Sequence, residues 1–231
     1  MLDRMISYLK KNSRRILMSL GGVIICAVSV GVFKLAALGV DPFQSLMAGL
    51  DALIPIDFGT LYMIVNAVLL IFSLIVDRHN IGLATFINLF LLGYITQFSY
   101  DLFQRLIPDP SMVVRVLCLA VGILVLCIGS ALYMTADLGV STYDAVAIVL
   151  SSKWKLGKFK YVRICTDLIC VALGCALFVL AGNEIGKIPT IAGVGTIVTA
   201  FFMGPLIDFF NRKIARPLLS SRKTLLKQPH E

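Results

Sequence analysis

The chain carries one phrase twice, a hundred residues apart: Ala36-Ala37-Leu38-Gly39-Val40-Asp41-Pro42-Phe43-Gln44 and Ala136-Asp137-Leu138-Gly139-Val140-Ser141-Thr142-Tyr143-Asp144. Each copy follows a long apolar stretch and precedes a short one. An internal repeat sets the architectural unit before any local feature is read. Matching extends outward, with Gly22 against Gly122 and Leu50 against Leu150 at the same offset of 100. Later the offset is 111: Thr85, Asn88, Phe90, Gly93, Gln97 and Phe98 match Thr196, Thr199, Phe201, Gly204, Asp208 and Phe209. Repeat one covers about 16–105 and repeat two about 112–212. Each reads long helix, Leu-Gly-Val turn, short helix, long helix, long helix.

The solvent for this repeat is lipid. Hydrophobic residues make up 58% of the 231 positions and charged ones 15%, more apolar surface than a soluble domain of this length can hide. The stretches 16–36, 59–77, 81–103, 112–135, 161–181 and 187–210 approach the roughly 20 apolar residues that a spanning helix needs. The first follows a basic segment but is too long for a cleaved signal, and the repeat requires it to stay. Two segments, 42–54 and 142–152, reach only about 15–20 Å at 1.5 Å per residue, short of the hydrocarbon core. They predict half-inserted helices. The expected fold is therefore an all-α polytopic membrane protein, 1–231, with six spans and two inverted repeats.

Charge placement sets the address. Arg4, Lys10, Lys11, Arg14 and Arg15 precede the first span, and Lys153, Lys155, Lys158, Lys160 and Arg163 cluster after the second short segment. Arg212, Lys213, Arg216, Arg222, Lys223 and Lys227 occupy the basic tail, 212–231. Such clusters mark cytoplasmic loops and put both termini inside. They also suit anionic lipid head groups, so the expected partner is the bilayer and not nucleic acid. Six crossings leave Arg105, Arg115 and Lys187 outside, whereas eight leave Arg78 and Lys187. Helix length favours six where charge does not decide.

Both turns lead into helix starts. Asp41 and Ser141 are N-cap residues, Pro42 suits the first helical position, and Gln44 and Asp144 stand at capping-box spacing. Near lipid, sealing those N–H groups is compulsory, which accounts for these residues structurally. The same geometry also aims a helix dipole and N–H groups at the protein interior, as in the broken helices of inverted-repeat transporters. On that reading Gly39, Asp41, Gln44, Gly139, Ser141 and Asp144 bind a small-molecule or ion substrate. Asp144 is then a proton or cation site and Gln44 its uncharged counterpart. Asp167, inside the fifth span, is costly in lipid, and Arg163 lies four residues earlier as an ion-pair or coupling partner. Asn66 is its nearest equivalent in repeat one. Asn88 and Thr199 suit helix-to-helix hydrogen bonds, Asp208 an interfacial place, and Lys34 an outward snorkel.

Other chemistries find no motif. The six cysteines (Cys26, Cys118, Cys127, Cys165, Cys170 and Cys175) sit in apolar stretches without metal-ligand spacing. Gly182-Asn183-Glu184-Ile185-Gly186-Lys187-Ile188 falls one residue short of a P-loop and lacks its hydroxyl residue. The histidines, His79 and His230, lie in a loop and the tail. The expectation is no enzyme, no metal and no cofactor.

The segment Ala136-Asp137-Leu138-Gly139-Val140-Ser141, with Asp144, resembles an "A-x-L-G-V-S-P-W-D" signature of the YczE/YyaS/YitT family of bacterial integral membrane proteins, nearest its YczE-like branch. Gly195-Thr196-Ile197 and Gly204-Pro205-Leu206-Ile207-Asp208 are similar to that family's last helix. Thr142 and Tyr143 depart from its proline and tryptophan, while Pro42 keeps the proline in repeat one. The resemblance implies the architecture and a bacterial inner-membrane location, and it transfers no catalytic residue. The expected function is secondary transport of a small solute. The alternative is a non-transporting membrane protein that supports assembly, secretion or signalling through a partner. Neither excludes a homo-oligomer.

Overall fold

A computed structural model describes residues 2–78 and 81–225 of the chain. His79 and the tail beyond 225, with Lys227 and His230, lie outside the described residues. The described chain is helical: α1 (Leu2–Ala36), α2 (Pro42–Leu53), α3 (Phe58–Val76), α4 (Leu83–Leu106), α5 (Met112–Ala136), α6 (Thr142–Ser152), α7 (Phe159–Leu180), α8 (Val194–Phe210) and α9 (Arg216–Leu225). Six helical segments are long and apolar enough to cross a membrane. The chain is a multi-pass membrane protein of six spans plus shorter helices.

Most boundaries match the sequence expectation within three residues. The first helix starts earlier than expected, running from residue 2. The last span also differs. Instead of a helix from 187, Ile185–Thr190 is a 3-10 turn and α8 begins at Val194. Pro189 has no N–H to donate and Gly193 is a poor helix former, so the chain enters the span irregularly. Past α8 the helix continues through a π turn, Asn211–Ala215, into α9, so the basic segment extends the helix where a separate tail was expected.

Helix directions follow from which residues touch. A Cβ added to Gly22 would lie 2.7 Å from Gly129 O, and Arg15 reaches Asp137 at 3.5 Å, so α1 and α5 run antiparallel. Thr96 donates to Ala27 O (3.2 Å), and Gly31 packs on Ser99, so α1 and α4 run parallel. Gly59 N–H donates to Gln97 Oε1 (3.1 Å) while Tyr62 OH donates to Asn88 Oδ1 (3.4 Å), which makes α3 antiparallel to α4. Lipid gives helices no hydrophobic reason to associate, so close contact through small residues does the holding. Gly22 against Gly129 and Gly49 against Gly174 are such crossings. The buried core gathers on α1, where Val23, Ala27, Val30 and Phe33 meet Ile123 and Leu126 of α5.

These directions decide the crossing number. The chain leaves α5 beside Arg15 of α1, and after α6 Lys153 donates to Val76 O at the end of α3. Both points lie at the end of the bundle where α1 enters the span. Likewise α2 leaves α1 and delivers the chain to Gly59, beside the C-terminal part of α4. Each short helix therefore returns to the face it came from. At 12 and 11 residues they reach only about 16–18 Å. Ile54, biased to extended backbone by Pro55, ends α2.

Candidate functional site

The two short helices point their N-termini at each other. Phe43 and Tyr143, the residues after each first-turn position, stack with ring centroids 4.9 Å apart. Around this junction lies a cavity of about 110 Å³, lined by Asp41, Gln44, Ser141 and Arg163 together with Asn66, Asn88, Tyr62 and Tyr133. The structure thus brings Asp41, Gln44, Ser141 and Arg163 to one place, with Asp144 and Asp167 bound to Arg163 behind them. Gly39 and Gly139 do not line it.

Their role is to build it. Both glycines have left-handed backbone, φ +98° and +110°, which L side chains rarely adopt. A Cβ at Gly39 would lie 2.5 Å from Gly193 N, and one at Gly139 would lie 2.5 Å from Gly82 N. Each turn is docked on the start of the last helix of the other repeat. Ala84 N–H donates to Leu138 O (2.9 Å), and Gly195 N–H donates to Leu38 O (2.8 Å). Thr85 accepts from Gly82 N–H (3.2 Å) and donates to Val140 O (2.7 Å). Thr196 accepts from Gly193 N–H (3.3 Å) and reaches Ile191 O (3.4 Å). Sequence reasoning missed this exchange, although Gly-x-x-Thr recurs at 82–85 and 193–196.

The caps form in part. Asp41 Oδ1 accepts Gln44 N–H (3.2 Å) and Ser141 Oγ accepts Asp144 N–H (3.1 Å). The reciprocal arm of the expected box is not made in either copy. Ser141 N–H is taken by Tyr133 OH (3.3 Å), so the Asp144 carboxylate accepts from Ser141 Oγ (2.7 Å) and Tyr133 OH (3.2 Å) instead. Gln44, 6% exposed, lines the cavity and its amide has no hydrogen-bond partner among the described residues.

The charges are unevenly shared. Arg163 pairs with Asp144 and, through Nε, with Asp167 at 3.3 Å. Its guanidinium also lies 4.4 Å from the Tyr143 ring, and Tyr143 OH donates to Asp167 (2.6 Å). Asp41 has no ion-pair partner among the described residues. In repeat one the position nearest Asp167 is Asn66, 1% exposed, which donates to Tyr62 O (2.8 Å) and accepts from Thr142. Phe43, Tyr62, Tyr133 and Tyr143 are site residues that sequence reasoning did not single out. Phe43 and Tyr143 stood in the repeated phrase itself.

Away from the cavity, Asp208 pairs with Arg212 (2.6 Å), and both side chains are exposed. Thr199 bonds to Thr196 O of its own helix (3.0 Å), not across helices. Lys34 sits 3.5 Å from the Phe58 ring centroid, a cation–π contact. No group of His, Cys, Asp and Glu among the described residues could hold a metal ion.

A family model described as a family of unknown function, DUF6198, matches residues 13–212. An uncharacterized protein of Bacillus subtilis, YyaS, is 25% identical over 210 residues, covering 87% of this chain and 94% of its own. An uncharacterized protein of Haemophilus influenzae is 26% identical over 193 residues, covering 83% and 81%. No solved structure matches the chain.

Proposed function

The chain belongs to the DUF6198 family of unknown function, and from that premise we propose that it is a secondary transporter of a small solute. The proposal includes an inverted-repeat build and a place in the bacterial cytoplasmic membrane with both termini inside, as the basic flanks of the spans suggest. One observation carries the reading. Two short helices bring their N-termini together at one cavity inside the bundle, and on this reading each is half-inserted from its own face. Secondary transporters of inverted-repeat build bind their cargo between such broken helices.

The antiparallel α1 and α5 support the same reading, since each corresponding helix of the second repeat then runs opposite to its counterpart. Rocking of one repeat against the other would expose the cavity to each face in turn. Gln44 supplies an unpaired amide to a solute, and the Asp144–Arg163–Asp167 group supplies charge that can rearrange as the solute enters.

The test is uptake into proteoliposomes of a radiolabelled panel of amines, amino acids, sugars and carboxylates, with and without an imposed proton gradient. Gradient-driven flux of at least one member, reduced tenfold or more by Gln44→Ala at equal protein level, is expected. Absence of flux for every member, with folded protein and a stoichiometric co-purifying partner, contradicts transport and favours a partner-supporting role.

A further inference from the structure

We propose that the central cavity recognises a small organic cation, with its ammonium or guanidinium group held against Asp41. The inference rests on reading the cavity as the transport site.

The carboxylate at 41 is not needed to start its helix. Ser141 caps α6 through the same hydrogen bond to the residue three on, at 3.1 Å against 3.2 Å, and carries no charge. An ionised group at this depth is costly unless something positive meets it. The cation at hand, Arg163, is committed to Asp144 and Asp167. Asp41 therefore lines the cavity as an acceptor with no ion-pair partner among the described residues.

A second observation points to the same ligand. The Gln44 side chain is 6% exposed, lines the cavity and has no hydrogen-bond partner among the described residues, so its carbonyl is an open acceptor beside Asp41. Four aromatic rings, Phe43, Tyr62, Tyr133 and Tyr143, share the lining with aliphatic and amide side chains. Phe43 meets Tyr62 edge-on at 6.0 Å and stacks on Tyr143 at 4.9 Å, and the guanidinium of Arg163 already lies over Tyr143. Aromatic faces beside a carboxylate attract amines and guanidines. The volume, about 110 Å³, limits the guest to a few heavy atoms, since a cavity of about 150 Å³ accepts benzene. The two carboxylates on Arg163 offset its positive charge and weaken its pull on an anion.

Binding of methylammonium, tetramethylammonium and guanidinium chlorides to the full chain in nanodiscs, by calorimetry against matched sodium chloride, tests this. Sodium acetate is the anionic probe. At least one organic cation should bind, weakened tenfold or more by Asp41→Ser and less by Gln44→Ala. Asp41→Ser keeps a hydroxyl cap, and Asp41→Asn provides a second capping variant should the first not fold. Cation binding indifferent to both Asp41 variants, acetate binding that depends on Arg163, or no binding by any probe each overturns the inference. Flux of an anionic or uncharged solute through the cavity would also overturn it, while leaving the transport reading intact.

Discussion

The two repeats use the same elements to build different halves. In repeat one α3 and α4 pack along each other, with Gly59 and Tyr62 against Gly93 and Tyr94. Their counterparts α7 and α8 share no such interface, and their spans are the least buried of the six. The polar residues follow the packing. Repeat one contributes neutral Asn66 and Gln44, 1% and 6% exposed, whereas the Asp144–Arg163 and Arg163–Asp167 pairs keep 18–28% of their side chains exposed. The closed half saturates Asn66 but leaves the Gln44 amide and the Asp41 carboxylate without side-chain partners among the described residues. The open half carries charges that are partly exposed.

The comparison can be broken most severely at the shared device. Gly139→Val should cost about 2–5 kcal/mol, adding left-handed strain to a backbone clash with Gly82, and Gly39→Val should match it through Gly193. Loss of the folded monodisperse peak in detergent reads this out. A loss in one variant alone would show that only one turn is structural.

Next comes the charged half. Arg163→Met strands two carboxylates and should lower stability by about 1–3 kcal/mol, less than for a fully buried pair because the group is partly exposed. Adding Asp144→Asn and Asp167→Asn should recover most of it in the same thermal melts. Failure to recover would mean that Arg163 acts through its stacking on Tyr143.

In the closed half, Asn66→Ala leaves the Thr142 hydroxyl without its acceptor and should cost about 1–2 kcal/mol. The smallest effect belongs to exchanging the α2 cap. Asp41→Ser should change stability by less than about 0.5 kcal/mol, because serine caps the equivalent helix. Asp41→Ala, with no cap, should cost about 1 kcal/mol.

What the sequence displayed was what neighbours along the chain determine. Gly39, Asp41, Pro42 and their counterparts announce a turn and a helix start because caps and left-handed residues act within one turn of helix. The length of α6 was legible for the same reason, and hydropathy located five of the six spans closely. The docking of Gly139 on Gly82 and of Gly39 on Gly193 was hidden, because it joins one repeat to the other and leaves only a weak Gly-x-x-Thr echo. The choice of carboxylates was hidden too. Spacing offered Asp167 to Arg163, but only the folded chain brings Asp144 to the same guanidinium and leaves Asp41 facing the cavity. The openness beside α7 comes from packing that no local pattern encodes.

Repeats of opposite direction can meet tip to tip only if each short helix returns to the face it left. The loops after them carry the exposed, repeat-related Ile56 and Leu156. In a cysteine-depleted background, Ile56→Cys and Leu156→Cys can each be reacted with a membrane-impermeant thiol reagent from either side of sealed vesicles. The account predicts labelling from opposite faces, Leu156→Cys from the face that bears the N-terminus. Labelling of both from the same face would contradict it, because the short helices would then cross the membrane and the two repeats would run parallel.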